Sequence, residues 1–195
     1  MITMGKKHEF RPDKPRKGLL SRLYLTRRQR QNLLKWGLYT LLLLVLSVLQ
    51  DSIFSRIHFF GATTELVPCG IFLICILEGT EGCSLFSLIA ATVYLFSGTA
   101  PGTYCIVFIT GIGICAAAFR QGYLQEGFGA AMLCTGGAML LYELAVFIFG
   151  LFVSATHWGR IGVFCLTAVL TVAAAPLLYI LARRIEAVGG HSWNE

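Results

Sequence analysis

Charged residues are scarce in this sequence. They make up 13% of its 195 residues, about half of the roughly 25% that soluble domains carry, whereas hydrophobic residues make up 56%. So few charges cannot cover the surface of a soluble globule while the apolar residues fill its core. The composition excludes an ordinary soluble domain and an intrinsically disordered chain. It predicts an all-α membrane protein whose main solvent is lipid.

Motifs of the common enzyme classes are also missing. The chain contains no HExxH zinc motif, no GxSxG nucleophile elbow and no Walker loop. Its seven cysteines form no CxxC pair and lie inside apolar runs, which favours packing over disulfide or metal roles. His58 and His157 fall in predicted loops. We therefore expect no catalytic residue, no metal site and no cofactor.

Six apolar runs are separated by turns rich in glycine, proline and polar residues. They predict a six-helix transmembrane bundle with spans at 33–49, 66–77, 83–97, 103–119, 128–153 and 161–182. The second run is shorter than the about 20 residues that a bilayer requires. It must recruit flanking residues, begin near residue 59, or lie in a thinned or protein-lined part of the bundle. Residues 78–82, Glu-Gly-Thr-Glu-Gly, predict a turn after it.

The basic residues are concentrated at the N-terminus, where 11 of the 16 Lys and Arg precede residue 36. We predict a basic cytoplasmic or interfacial tail at 1–32, the six-span bundle at 33–185 and a short cytoplasmic tail at 186–195. With six spans, 14 basic residues fall on one side of the membrane and 2 on the other. Since cytoplasmic segments carry the excess of Lys and Arg, both termini are predicted to be cytoplasmic.

The basic tail adjoins an apolar run, which favours contact with lipid headgroups over binding of nucleic acid. We predict that the contacts with the membrane surface are made by Arg22, Arg27, Arg28 and Arg30. A signal for topology alone, or a docking surface for a cytoplasmic protein, remains an alternative role for these residues.

Glu143 is the one acid well inside a predicted span, where an unpartnered ionisable group costs about 2.5 kcal/mol or more. We expect it to face inward and to serve packing or hydrogen bonding, with a contact to a partner protein and a ligand or proton site as alternatives. Small residues on the same span allow a second helix to approach closely. The candidate partner or packing contacts are therefore Gly127, Ala131, Gly136 and Glu143.

Several short motifs between residues 40 and 182 carry a family resemblance. They are Leu49-Gln50-Asp51-Ser52-Ile53-Phe54 after the first span, Pro68 with its apolar run, Gly79 and Gly82 before the third span, and Ser97-Gly98-Thr99-Ala100-Pro101-Gly102 before the fourth. With the six-span layout, they resemble the rod shape-determining protein MreD family. Tyr94 stands where that family often has an aspartate, so no role tied to that acid is carried over.

The resemblance implies a non-enzymatic scaffold in the bacterial cytoplasmic membrane. Its partners would be membrane lipids, the bitopic protein MreC, the filament protein MreB, the glycan polymerase RodA and its class B penicillin-binding transpeptidase. Filament coupling would then be a further role of the basic tail. Substrate-binding components of energy-coupling-factor vitamin transporters are similar six-span bundles and form the alternative. They typically carry Ala-x-x-x-Ala in helix 1, whereas residues 38–48 contain no alanine.

Overall fold

The structure, a computed structural model, describes residues 27–54, 61–98, 100–124, 127–153 and 156–189. These residues are built from helices: α1 (Arg27–Leu49), α2 (Leu66–Phe96), α3 (Cys105–Tyr123), α4 (Phe128–Phe152) and α5 (Ile161–Gly189). A π-helical turn, Gln50–Phe54, follows α1, and a 3-10 turn, Trp158–Arg160, precedes α5. Within the described ranges, five helices are long and apolar enough to cross a membrane. The predicted all-α membrane class is confirmed at this level.

The main difference from the sequence prediction concerns α2, which occupies both the second and the third predicted spans. Residues 78–82 are helical rather than an open turn, so the described chain has five long helices and six are not confirmed. The helix is nevertheless broken at Gly79, where φ is 80° and ψ is −177°. Glycine tolerates this backbone because it has no β-carbon to clash. The single glycine therefore takes the place of the predicted loop.

The two halves of α2 lie side by side. Cys75 and Cys83 interact through their thiols, although eight residues of straight helix would separate them by about 12 Å. Both thiols also face Gly113 of α3: a β-carbon added there would lie 3.4 Å from Sγ of Cys75 and 3.8 Å from Sγ of Cys83. The chain therefore turns back on itself at Gly79.

The first half of α2 forms the centre of the described bundle. Every residue from Leu66 to Leu77 is buried. On the α1 side, Gly70 faces Leu43 and Leu46. This short apolar run is thus surrounded by protein. A protein-lined position in the bundle was one of the options that its short length left open.

The ends of the bundle also differ from the predicted boundaries. Helix α1 begins at Arg27, ahead of the predicted residue 33, and α5 continues to Gly189, beyond the predicted residue 182. Polar and basic residues can extend a helix past its apolar run because the backbone hydrogen bonds do not depend on hydropathy. The tail at 1–26, which includes Arg22, and residues 190–195 lie outside the described residues.

Candidate functional site

The four candidate contact residues of α4 and its N-terminus lie mainly on the interior side. Ala131 is fully buried and Glu143 is 4% exposed. A β-carbon on Gly136 would meet the side chain of Val172 in α5 at 3.7 Å. Gly127 is the residue before α4, and its carbonyl accepts a 3.1 Å hydrogen bond from the amide of Ala131 at the start of the helix. Ala131, Gly136 and Glu143 therefore pack against other parts of the same chain, whereas a β-carbon on Gly127 would meet no atom of the described residues within 4 Å.

A different set of small residues forms a groove between α3 and α4, called here the α3–α4 groove. Its volume is about 680 Å³, and its lining includes Gly111, Cys115, Gly137 and Ala138. A β-carbon added to Gly111 or Gly137 would meet no atom of the described residues within 4 Å. Exposed apolar side chains border the groove, with Val107 68% and Leu133 66% exposed. The groove is thus open on the outer surface of the described bundle.

Sequence reasoning singled out Gly136 and missed Gly137. The two are adjacent, and both lie in an apolar helix. A helix that faces lipid on one side and protein on the other is apolar all round, so hydrophobic periodicity does not identify the packed side. Only the tertiary packing distinguishes the two glycines, because Val172 lies beside Gly136 and not beside Gly137.

A second groove, the α1–α2 groove, separates α1 from the second half of α2. It has a volume of about 560 Å³ and is lined mostly by apolar side chains, with Thr40, Ser47 and Glu81 as its polar residues. Trp36 closes one end, and its ring would lie 3.1 Å from a β-carbon on Gly82. Together the two grooves give the bundle two apolar clefts on its sides.

A buried ion pair lies beside the break in α2. The ammonium nitrogen of Lys35 is 2.6 Å from Oε2 of Glu78, and the hydroxyl of Tyr39 donates a 2.8 Å hydrogen bond to Oε1 of the same carboxylate. Both side chains of the ion pair are more than nine-tenths buried. Lys35 was counted as a topology signal and Glu78 as a turn residue, because a pair so distant in sequence leaves no local pattern.

The same break is also held from α3. The guanidinium of Arg120 donates a hydrogen bond to the carbonyl of Ile76, and the hydroxyl of Thr80 bonds the side-chain amide oxygen of Gln121 at 3.1 Å. The last carbonyls of a helix segment find no N–H donor within that segment. Arg120 therefore satisfies one carbonyl near the end of the first half of α2.

Glu143 is near a second acid that lies outside the predicted spans. Glu65, which precedes α2, interacts electrostatically with Glu143, and the two belong to a polar cluster with Tyr142 and Cys105. The amide of Glu65 donates to Oγ1 of Thr171 at 3.0 Å. Burial raises the pKa of Glu65 from its ordinary 4.5 to about 7. Glu65 stands just before the predicted span 66–77, where nothing in the sequence indicates that an acid is buried.

The predicted membrane-surface residues are only partly described. Arg30 is exposed in the first turn of α1, and its contact with lipid stays a prediction. Arg27 and Arg28 lie in the first turn of α1, and Arg22 lies outside the described residues. No group of three or more His, Cys, Asp or Glu side chains in the described part of the chain could hold a metal ion.

Comparison of the chain with known proteins gave no match to any family model, curated protein or solved structure.

Proposed function

We propose that this chain is a non-enzymatic integral membrane scaffold of the bacterial cell-elongation (rod) complex. It helps to determine cell shape by linking the cytoplasmic filament of MreB, the bitopic protein MreC, and the peptidoglycan synthases RodA and its transpeptidase. The motifs that resemble the MreD family motivate this proposal. The observation that supports it best is the α3–α4 groove, because a membrane scaffold needs a surface on which a helix of another membrane protein can dock.

The α3–α4 groove has the shape and composition that a transmembrane helix requires. Its lining runs from Val107 to Phe119 on α3 and from Leu133 to Ala145 on α4, about 18 Å along each helix. Small residues at its floor allow close approach of a second backbone, which is the main source of helix association in lipid. We propose that a helix from a partner of the rod complex lies there.

The topology that we propose for this scaffold has six membrane crossings with both termini in the cytoplasm. Two crossings would come from α2, one on each side of Gly79. The contact between Cys75 and Cys83 supports this arrangement, as does the excess of basic residues at the N-terminus and after α5. The ion pair of Lys35 with Glu78 then lies toward the cytoplasmic side.

Affinity purification from a rod-shaped bacterial host, in a mild detergent, tests the proposal. We expect the tagged full-length chain to retain MreC, MreB, RodA and the transpeptidase, measured by quantitative mass spectrometry. Replacing Gly137 by Leu adds a side chain to the floor of the groove. Overpacking of this kind costs about 1–3 kcal/mol, so at least one of these partners should be lost about tenfold, with rounded cells.

The matched control is Gly129→Leu, at an exposed glycine of the same helix that does not line the groove. It should retain the partners, and both variants should reach the membrane at the level of the unmodified chain. Recovery of an ATPase module in place of the rod proteins, with tight vitamin binding and unchanged cell shape, would support the transporter alternative instead. Equal partner recovery with Gly137→Leu and Gly129→Leu would remove the groove from the proposal.

A further inference from the structure

Two carboxyl groups in the interior of the bundle each have an oxygen without a hydrogen-bond partner. Oε2 of Glu65 and Oε1 of Glu143 are buried and have no such partner among the described residues. Glu143 as a whole is 4% exposed. Glu65 has a half-buried stem, and its unpartnered oxygen points away from solvent. A buried acceptor that lacks a donor is costly, so these two oxygens require an explanation.

In the described part of the chain, the side chains that interact with the two carboxyls are phenols, a thiol and a hydroxyl. Helix α4 contributes Tyr142 and α3 contributes Cys105, and both are within electrostatic range of Glu65. Helix α5 contributes the hydroxyl of Thr171, which accepts a hydrogen bond from the amide of Glu65. Tyr104, just before α3, is also within electrostatic range of Glu65.

Glu143 and Thr171 lie deep along their helices, whereas Glu65 precedes α2 and Cys105 is the first residue of α3. Glu143 is nine residues from the end of α4 at Phe152, about 13 Å along the axis. Thr171 is ten residues from the start of α5 at Ile161, about 15 Å. At such depth in a transmembrane bundle, ionisable side chains commonly mark ion or proton sites.

We propose that Glu65 and Glu143 together form a buried site for one small monovalent cation, a proton or Na⁺. Two neighbouring carboxylates in a poorly solvated interior cannot both stay charged without a positive charge between them. A proton would turn one carboxyl into a donor for the other. A sodium ion would use the two unpartnered oxygens together with nearby hydroxyls.

The elevated pKa of Glu65, about 7, sets the pH range in which the site changes. Because the folded chain holds this proton more tightly than the unfolded chain, the stabilisation is present below pH 4.5, the ordinary value, and is lost as the pH rises through about 7. A sodium ion, if it binds, replaces the proton above that pH. The proposal does not depend on the rod-complex function.

The test uses the full-length chain in mild detergent and records its thermal unfolding midpoint at pH 6 and pH 8, with either choline chloride or NaCl as the salt. In choline, we expect the midpoint to fall by about 3 °C or more between the two pH values. Glu143→Gln and Glu65→Gln should each reduce this fall. Glu81→Gln, at an exposed acid of the α1–α2 groove, should leave it unchanged.

The salt distinguishes the two cations. If NaCl at pH 8 restores the midpoint of the unmodified chain but not of Glu143→Gln, the site binds Na⁺ as well as a proton. If NaCl has no effect while the pH dependence persists, the cation is the proton. An equal fall for the unmodified chain, Glu143→Gln and Glu65→Gln would overturn the proposal.

A second measurement needs no variant and so is independent of whether the substituted chains fold. Infrared difference spectra of the unmodified chain between pH 6 and pH 8 should lose the carbonyl band of a protonated carboxyl as the pH rises. Absence of such a band at pH 6, in choline as well as in NaCl, would show two ionised carboxylates without a bound proton. That result, together with a midpoint that is insensitive to Na⁺, would also overturn the site.

Discussion

Lys35 and Glu78 form a buried ion pair that joins α1 to the residue just before the break in α2. Their charged atoms are 2.6 Å apart, and Tyr39, one helical turn after Lys35, donates to the second carboxylate oxygen. Gly79 follows immediately with its positive φ. The ion pair therefore anchors the point at which the chain reverses direction, and the central helix segment depends on it for its position.

Replacing Lys35 by Met should strongly destabilise the bundle. The substitution keeps an apolar stem of similar length but leaves the carboxylate of Glu78 buried without its cation, which costs about 3–5 kcal/mol. We expect a clear fall in the thermal unfolding midpoint in detergent. The double variant Lys35→Met with Glu78→Gln should recover much of the loss, because no charge is then buried. The control is Arg184→Met, at an exposed arginine, which should leave the unfolding midpoint unchanged. If Lys35→Met also left the midpoint unchanged, the stabilising role of the ion pair would be contradicted.

The two adjacent glycines of α4 should respond differently to the same substitution. Gly136→Leu places a side chain against Val172, which is 3.7 Å from the β-carbon position, and should lower stability by about 1–3 kcal/mol through overpacking. Gly137→Leu projects into the α3–α4 groove and should unfold at about the same temperature as the unmodified chain. The two thermal unfolding midpoints, measured in the same detergent, check this. A larger loss for Gly137→Leu would mean that the packed side of α4 is misassigned.

The proposed six crossings predict the side of the membrane on which two connecting segments and the C-terminus lie. Reporter fusions that require an oxidising exterior should be active near Gly98 and near Thr156 and inactive at residue 195. The reason is that α2 crosses twice when it reverses at Gly79, which returns the C-terminus to the cytoplasmic side. If α2 crossed once, the fusion near Gly98 would be inactive and the fusion at the C-terminus active. A fusion at Thr63, which precedes α2, should be active under both topologies and serves as the reference.

The basic tail is predicted to couple the bundle to the membrane surface or to the filament. Removing residues 1–30 should weaken this coupling without preventing insertion, because Lys35, Arg183 and Arg184 still favour the cytoplasmic side. Neutralising Arg22, Arg27, Arg28 and Arg30 together should reproduce the effect, since each basic residue near an anionic surface contributes about 1 kcal/mol. Cell shape and the fraction of MreB at the membrane are the readouts. Normal values for both variants would reduce the tail to a topology signal.

The positions of the outer helices were predicted well. The predicted span 128–153 agrees with α4, Phe128–Phe152, to within one residue, and the span starting at 161 agrees with the first residue of α5. These helices are bounded by glycine and charged residues, and their apolar runs are long enough to identify without tertiary information. The central segment was harder, because its 12 apolar residues are too few for an independent span.

The faces of the helices were not predictable in the same way. Gly136 and Gly137 are adjacent and have similar surroundings in the sequence, and only the packing of α5 distinguishes them. Glu65 lies outside the predicted spans, yet its amide donates a hydrogen bond to Thr171, on a helix more than 100 residues away. Such contacts depend on which helices become neighbours, and an apolar membrane helix carries little sequence information on that choice.

Composition and hydropathy alone determined that this chain is an all-α membrane protein, because so few charges leave lipid as the only compatible solvent for its apolar residues. They also located the apolar part of each long helix and the bounds of α4 to within one residue, since the apolar runs are bounded by residues that favour turns. Tertiary structure decided that α2 reverses at Gly79, that Lys35 meets Glu78, and that Glu65 joins Glu143. The physical reason is that these relationships arise from long-range packing around a buried segment, in which each charged or polar group takes its partner from another helix.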